Sequence, residues 1–581
     1  MYKILFFVFS IQLAFGFTDP SIIKKIDPLV IKNYTQKESA EYIVLFKDRL
    51  VYSKSLALRT KNEKARYVYE TLFNHAKKTQ RKVVSFLSNK NIPFQSFYVI
   101  NAIKVTSDEV TMMTLAEMDE VERIIDDTPM KMLDYESEKV TSARTAEPEW
   151  GLKYIKADSV WAKGFTGQGV IIGGQDTGYD WQVSPLKQKY RGYIDSTSAT
   201  HDYNWHDAII KNNPIFPDTI LNPCGLSVKQ PCDDNNHGTH TMGTMVGEDT
   251  DNKIGVAPGA KWIACRNMDR GWGQPSTYID CFEWFLAPKD LNGLNPNPTK
   301  APHVINNSWY CSREEGCNES NFLLMEEVVK NVKASGIVVV VSAGNSGNGC
   351  GSVSGPPAFF ESSLSIGATD INGNIAGFSS RGPVMIDSSF RLKPNVSAPG
   401  VNVRSVIRGG SFAGFNGTSM AGPHVAGIVA LIISANPALA GNVDVIEDII
   451  EGSAIPTVSE MSCSNFDGAS VPNAVFGYGI ANALQAVNRA LEFNTNILEN
   501  EPSSIKVFPN PTDELLTFVI ENGNEVMENI EIIDLSGRVV IVMEQRKNLM
   551  YTMPVASLES GIYFYQVKTN QQTMVGKFVK L

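Results

Sequence analysis

A run of small residues around one serine, Gly417 to Gly427, most restricts what this chain can fold into. Glycines flank Ser419 at the start of a predicted helix whose body, Val425 to Ala435, is almost entirely apolar. The first turn of a helix has free amide groups and a partial positive charge, so a serine there lies beside donors for an oxyanion. An ordinary N-cap serine would explain Ser419 alone, and not the Gly-Thr-Ser-Met-Ala-Gly-Pro-His sequence. We therefore predict a nucleophilic serine ahead of a buried helix.

A carboxylate suited to orienting a catalytic base follows another predicted strand. Asp176 comes directly after the strand-like run Val170 to Gln175 and precedes Thr177-Gly178. The carboxyl end of a parallel strand is the usual functional edge of an α/β sheet. Asp-Thr-Gly alone also fits a simple turn, or the loop of an aspartic protease, although the chain has no second copy of that loop.

A candidate base begins the motif His237-Gly238-Thr239-His240, which opens a predicted helix rich in small residues. Small residues let the helix pack closely and keep His237 at its start. We predict that His240, one turn later, packs or hydrogen-bonds within the core. A zinc site is the weaker interpretation, because the sequence has neither a Cys-x-x-Cys pair nor a His-Glu-x-x-His helix.

A fourth motif supplies a candidate oxyanion donor. Asn345 follows a predicted strand in Ser342-Ala343-Gly344-Asn345, where an asparagine is more often a turn residue. Asp-Thr-Gly, His-Gly-Thr-His, Ala-Gly-Asn and Gly-Thr-Ser-Met-Ala together resemble the subtilisin family of peptidases (subtilases, family S8). The order Asp, His, Ser is the one already known for subtilisin.

This resemblance implies a serine endopeptidase that hydrolyses peptide bonds of proteins through an acyl-enzyme. Ser419 would be the nucleophile, His237 the general base and then acid, and Asp176 the orienting carboxylate. Asn345 and the Ser419 amide would form the oxyanion hole. The substrate-binding strand would be formed by Asn307, Ser308, Trp309 and Tyr310.

The hydrophobic patterning and the predicted secondary structure change along the chain, which predicts three folded regions. Between residues 150 and 493, β-branched runs alternate with helical segments, which predicts an α/β domain with a parallel sheet and helices on both faces. Residues 41–127 have the order of a small α+β, ferredoxin-like fold, with a helix over 63–89 and a strand over 97–100. Residues 503–581 predict a small all-β sandwich. Residues 20–40 are expected to be irregular.

The two flanking regions also resemble known modules. Tyr42 to Leu45 and Tyr98 to Ala102 resemble the I9-type propeptide of subtilisin. This implies that residues 41–127 act as an intramolecular inhibitor and are released through a cleavable linker at 128–149. Residues 503–581 resemble the type A C-terminal sorting domain of the type IX secretion system, whose machinery would be a partner. The motifs that support the resemblance to this sorting domain are Val507 to Pro511, Asp534 to Arg538 and Gly561 to Tyr563.

Composition and the N-terminus bear on partners and location. The net charge of -10 argues against nucleic acid as a partner. Lys3, the apolar run Ile4 to Phe15 and Ala14-Phe15-Gly16 predict a signal peptide over residues 1–16, with a buried strand or helix as the alternative. We expect a monomer without a transmembrane segment, secreted or at the outer cell surface.

The eight cysteines all lie between Cys224 and Cys463 and predict disulfides in an exported protein. Cys224 with Cys232, and Cys311 with Cys317, are candidate small loops among many connectivities. The resemblance implies chemistry without a cofactor. It also implies structural calcium, for which no ligand set can be read. The acidic pairs around Asp233-Asp234 and Asp249-Thr250-Asp251 are expected to be solvated loops.

Two departures from the family pattern concern the substrate cleft. Asp176 and His237 are 61 residues apart, and this long insertion is similar to the bacillopeptidase F-like branch. Tyr310 stands where the family usually has glycine, so the preference of the S1 pocket stays open. The rival interpretation is an inactive subtilase fold that serves as a surface binding module, which would need a broken triad. An esterase or lipase is excluded as an alternative, because the chain has no Gly-x-Ser-x-Gly nucleophile elbow.

Overall fold

The computed structural model of the chain consists of two compact units, Met1–Glu492 and Phe493–Leu581. Its described residues are 19–50, 58–132, 136–138, 147–217, 219–309, 319–493, 505–520, 527–534, 538–548, 550–569 and 573–581. The predicted signal peptide, residues 1–16, lies outside them.

A seven-stranded sheet forms the centre of the first unit, and every pair of neighbouring strands in it is parallel. The predicted α/β fold class is therefore confirmed. In spatial order the strands are Val396–Pro399, Leu364–Thr369, Val338–Ser342, Val304–Asn307, Ile171–Asp176, Lys261–Arg266 and Trp205–Asp207.

Helices cover both faces of this sheet. Val338 and Val340 pack into one apolar cluster with Thr418–Ala435, whereas Val339 and Val341 pack into a second cluster on the other face. Side chains alternate along a strand, so burial on both faces explains the nearly continuous apolar runs of the sequence. The helices of this region are Trp150–Tyr154, Ala157–Trp161, Ser184–Lys187, His237–Val246, Pro275–Leu286, Glu319–Ala334, Thr418–Ala435, Val443–Gly452 and Ala483–Glu492.

The helix Thr418–Ala435, here called the serine helix, runs through the core. Among the described residues it is the one helix whose length and composition would suffice to cross a membrane, and 89% of it is buried inside the protein. Small residues allow its close packing. A Cβ atom added at Gly427 would come within 2.4 Å of the Val256 side chain. The helix is therefore a structural element of the core.

The N-terminal α+β region has a four-stranded antiparallel sheet, as the sequence predicts. Its strands, in spatial order, are Phe94–Phe97, Ala102–Ser107, Ala40–Phe46 and Val121–Asp126. Its helices are Lys61–Thr79, Arg81–Asn89 and Glu109–Glu117.

Three details of this region were predicted wrongly. The single helix expected over 63–89 is two helices, which meet at Gln80. Residues 98–100 form a turn instead of a strand, because the amides of Tyr98 and Val99 donate to the carboxylate of Glu283. The segment expected to be irregular contains two short helices, Pro20–Ile23 and Pro28–Tyr34, each capped by an aspartate.

Disulfides connect three pairs of the described cysteines. Cys224–Cys232 confirms one predicted small loop. Cys311 and Cys317 lie outside the described residues. The other two bonds are Cys265–Cys281 and Cys350–Cys463.

The second unit contains only strands among its described elements, paired antiparallel in two sheets. This confirms the predicted all-β class. One sheet contains Ile505–Phe508, Leu515–Ile520 and Met550–Pro554, and the other contains Val539–Asn548, Met527–Ile533, Gly561–Thr569 and Thr573–Lys580.

Candidate active site

Asp176 and His237 meet at the carboxyl edge of the central sheet. The strand Ile171–Asp176 ends at the aspartate, and the helix His237–Val246, here called the histidine helix, begins at the histidine. Nδ1 of His237 lies 2.8 and 2.9 Å from the two carboxylate oxygens of Asp176. Both side chains are only 1% exposed. The Asp176 carboxylate therefore accepts a hydrogen bond from Nδ1, which fixes the orientation of the His237 ring.

Ser419 lies in the first turn of the serine helix, as the sequence predicts. Its Oγ donates to the carbonyl of Ser308 at 3.1 Å, and the Ser308 Oγ donates to the carbonyl of Ser419 at 2.8 Å. This reciprocal pair fixes the start of the serine helix against the strand that ends at Asn307.

Asn345 is held by the residue before the serine. Its Oδ1 accepts from the Thr418 amide at 2.9 Å and from the Thr418 hydroxyl at 2.8 Å. The amide Nδ2 is thereby turned away from Thr418, and a Cβ atom at Gly417 would lie 3.4 Å from it. A donor fixed beside the backbone of a nucleophile is the geometry that an oxyanion hole needs.

The predicted substrate strand is described as far as Trp309, and Tyr310 lies outside the described residues. The Asn307 side chain is fully buried: it donates to the Val340 carbonyl and accepts from Gln175. The Asn307 side chain is therefore held within the core. The Trp309 ring is 3% exposed and stacks on Tyr278 at 3.9 Å.

A strand pairing close to the candidate residues was missed by the sequence reasoning. The hairpin Met268–Gly273, here called the edge hairpin, pairs antiparallel with Met130–Lys131. The Met132 amide also donates to the Gly271 carbonyl at 2.7 Å. The Gly-Trp-Gly sequence, residues 271–273, is the signal from which this hairpin could be predicted. The structure shows why glycine is needed there, since a Cβ atom at Gly273 would come within 2.2 Å of the Tyr278 hydroxyl.

The chain that follows this pairing is anchored a second time. Glu136–Glu138 pairs antiparallel with Gly414–Asn416, three residues before Ser419. The first anchor is close to His237, because a Cβ atom at Gly271 would lie 3.5 Å from the Asn235 side chain. The described parts of the predicted linker, residues 130–132 and 136–138, are therefore anchored near His237 and near Ser419.

His240 packs in the core, as predicted. Its ring stacks on Phe415 at 4.1 Å, and Nε2 donates to the Val403 carbonyl at 2.9 Å. Burial, and then the nearby charge of His237, lowers the pKa of His240 to about 3. A neutral ring in this position serves packing and not proton transfer.

The acidic pair Asp233-Asp234 is not a solvated loop. Both residues are 5% exposed, which corrects the sequence-based expectation. Asp234 bonds with Asn222 and Arg266, and burial raises its pKa to about 7. Within the described part of the chain, no group of three or more His, Cys, Asp or Glu residues is arranged to hold a metal ion.

Comparisons with known proteins show the family of this chain. The Subtilase family matches residues 167–479, more than half of the chain, and the Secretion system C-terminal sorting domain matches residues 506–581. The chain belongs to the subtilase family and is a subtilisin-family serine peptidase. Its sorting domain indicates a protein that is secreted or located at the cell surface.

The alignments with individual relatives cover different fractions of this chain and of each relative. The chain is 35% identical to Bacillopeptidase F of Bacillus subtilis over 81% of its own length, but over only 32% of that protein. It is 33% identical to Subtilisin DY of Bacillus licheniformis over 50% of the chain and 87% of that protein. It is 29% identical to Subtilisin E of Bacillus subtilis over 59% of the chain and 73% of that protein. The chain therefore spans about a third of Bacillopeptidase F.

Proposed function

We propose that this protein is a secreted serine endopeptidase that cleaves proteins through Asp176, His237 and Ser419. The observation that carries the proposal is the buried contact between both carboxylate oxygens of Asp176 and Nδ1 of His237. His237 Nε2 takes the proton of Ser419 Oγ as that oxygen attacks the peptide carbonyl. The resulting imidazolium then protonates the leaving amine, and water releases the acyl group by the same route.

Two donors stabilise the tetrahedral oxyanion in this mechanism. One is the Ser419 amide in the first helical turn, and the other is Nδ2 of Asn345, whose orientation is fixed through Thr418. No step in this scheme needs a cofactor. Structural calcium stays a prediction from the family resemblance.

The substrate is an extended polypeptide bound through its backbone. The pairing of Met130–Lys131 with Trp272–Gly273 supports this, since it leaves a strand-shaped place on the cleft edge. Strand addition gives affinity that depends little on side chains. Ser308 and Trp309 would form the opposite edge, as the resemblance implies.

Residues 41–127 act as a propeptide that inhibits the enzyme until it is cut off within residues 128–149. Glu283 accepts the amides of Tyr98 and Val99 at 2.5 and 3.0 Å, and Asn331 donates to the Val99 carbonyl at 2.7 Å. These bonds join the N-terminal region to two helices beside the cleft, Pro275–Leu286 and Glu319–Ala334. The Met130–Met132 backbone would then block substrate by occupying the edge hairpin.

The sorting domain would deliver the precursor through the type IX secretion machinery, after which the enzyme would act as a monomer. The test uses the full precursor beside its Ser419→Ala variant. We expect the wild type to shorten within residues 128–149, by intact-mass analysis, and to cleave casein, whereas the variant does neither. If both proteins fold, stay full length and leave casein intact, the proposal is wrong and an inactive binding module is favoured.

A further inference from the structure

Asp233, the residue four positions before His237, is enclosed by donors from both elements that carry the triad candidates. Its Oδ1 accepts from the Thr177 hydroxyl at 3.0 Å and from the amides of Asn235 and Asn236 at 2.9 and 3.0 Å. Its Oδ2 accepts from the Thr239 amide at 3.0 Å and from the Thr239 hydroxyl at 2.5 Å. Five donors therefore converge on one carboxylate.

These bonds join the two halves of the Asp176–His237 pair. Thr177 follows Asp176 directly, and its hydroxyl accepts the amide proton of Gly238 at 3.1 Å while donating to Asp233. The backbones are in close contact here, since a Cβ atom at Gly238 would come within 2.1 Å of the Gly178 carbonyl. A shift of either element would therefore break bonds to the other.

The histidine helix depends on this residue for its cap. Asn236, at the N-cap position, makes no side-chain cap bond and has a left-handed backbone with a φ of 103°. The free amides of a first helical turn need an acceptor. Asp233 takes the amide of Thr239, and Thr177 takes that of Gly238.

The neighbouring carboxylate has a different set of partners. Asp234 accepts from the side chains of Asn222 and Arg266 and from the amide of Arg270. These partners belong to the long insertion and to the sheet and hairpin beside it. Its carboxylate makes none of the bonds to Thr177 or to the first turn of the histidine helix that Asp233 makes. The two adjacent aspartates are therefore a natural matched pair for experiment.

We propose that Asp233 is a positioning residue for the hydrolysis reaction. By holding Thr177 and the first turn of the histidine helix together, it sets the distance and angle at which Asp176 accepts the hydrogen bond from Nδ1 of His237. The inference rests on the proposed peptidase function. The inference adds that Asp233, near the end of the insertion between Asp176 and His237, helps to align these two residues.

The test compares Asp233→Asn with Asp234→Asn in the full precursor, matured where necessary by a trace of wild-type enzyme. Asparagine keeps the size of aspartate but presents an amide group to at least one donor. Misplacement of a catalytic group by about 1 Å costs up to about 100-fold in rate. We expect kcat of Asp233→Asn on a tetrapeptide anilide, per site titrated with a fluorophosphonate, to fall about 10- to 100-fold with KM nearly unchanged.

The control and a spectroscopic readout separate alignment from stability. Asp234→Asn should lower the thermal midpoint while kcat stays near the wild-type value. The proton NMR resonance of the His237 Nδ1 proton should move in Asp233→Asn and not in Asp234→Asn. If Asp233→Asn keeps kcat and this resonance and loses only stability, Asp233 is merely structural and the inference is overturned.

A second variant serves if Asp233→Asn does not fold. Thr177→Val removes the hydroxyl that links Asp233 to Gly238 and should lower kcat in the same way, and Thr177→Ser should recover most of the loss. Equal kcat for both Thr177 variants and the wild type would refute the inference. An inactive wild type would instead refute the proposed function.

Discussion

Asp176 and Glu283 are both buried carboxylates of the first unit, but their partners differ in permanence. Asp176 is fully buried and holds His237, a residue of the same domain. Glu283 is 3% exposed and holds the amides of Tyr98 and Val99, which belong to the proposed propeptide. Burial raises the pKa of Glu283 to about 7, although the charge of Lys289 and then the two amide bonds act in the opposite direction. In the proposed mechanism, the carboxylate of Asp176 acts in every turnover, whereas that of Glu283 holds a contact that is broken when the propeptide is released.

The largest effect should come from Asp176→Asn. The asparagine amide would face Nδ1 and favour the wrong tautomer of His237, and the corresponding change in a serine protease costs about 10⁴-fold in kcat. The measurement is kcat of the enzyme matured by added wild type, with circular dichroism as the check of folding. A loss below about tenfold would contradict the role given to Asp176.

A smaller loss is expected for Asn345→Ala. The variant keeps the Ser419 amide but removes the second oxyanion donor, so kcat should fall by about 10²- to 10³-fold, the range known for this donor in subtilisin. KM should change little, because the donor acts on the transition state. The KM and kcat values are separated by steady-state kinetics on a tetrapeptide anilide. A change confined to KM would contradict the assignment.

Glu283→Gln should affect the precursor and leave the turnover of the mature enzyme unchanged. The pKa of Glu283 is raised from 4.5 to about 7, so its protonated form favours the folded precursor. Its contribution to stability is therefore complete below pH 4.5 and is lost as the pH rises through about 7.

The measurement is the thermal midpoint of the Ser419→Ala precursor with and without Glu283→Gln, between pH 4 and pH 8. Relative to the glutamine variant, the Glu283 precursor should lose stability toward pH 8. A constant difference between the two proteins across this window would contradict the raised pKa. Casein hydrolysis by the matured Glu283→Gln enzyme is the control for a contact that plays no part in turnover.

The smallest effect is expected for Asn331→Ala. This change removes one buried hydrogen bond, from Asn331 Nδ2 to the Val99 carbonyl, and should destabilise the Ser419→Ala precursor by about 1–2 kcal/mol. Denaturant unfolding of the precursor measures it. No change would mean that the contact of Asn331 with the N-terminal region adds nothing to docking.

The sequence was sufficient where a motif is local. Asp176, His237 and Ser419 each lie within a few residues of the end of a strand or the start of a helix. The location of these three residues at the ends of elements can therefore be predicted from their neighbours in the sequence. Periodicity and composition likewise predicted the parallel sheet, the α+β region and the all-β unit. These are properties of short windows, and the structure has each of them.

The sequence was insufficient where a partner is distant along the chain. The strand expected at Tyr98 fails because its amide donates to Glu283, 185 residues later. The sequence predicts a solvated loop at Asp233, and this prediction is wrong because the partner Thr177 lies 56 residues earlier. The pairing of Met130 with Gly273 likewise depends on tertiary structure. Each error concerns a polar group whose hydrogen-bond partner cannot be predicted from the neighbouring sequence.

The bond Cys265–Cys281 joins the strand before the edge hairpin to the helix after it, so the whole hairpin lies inside one covalent ring. Such bonds form in oxidising compartments and stay open where thiols are kept reduced. Inside the producing cell, the edge hairpin is therefore held by noncovalent contacts, which include its hydrogen bonds and the packing of Met268 in the core. The bond can form only after export, so a newly made chain gains this covalent support outside the compartment in which it was made.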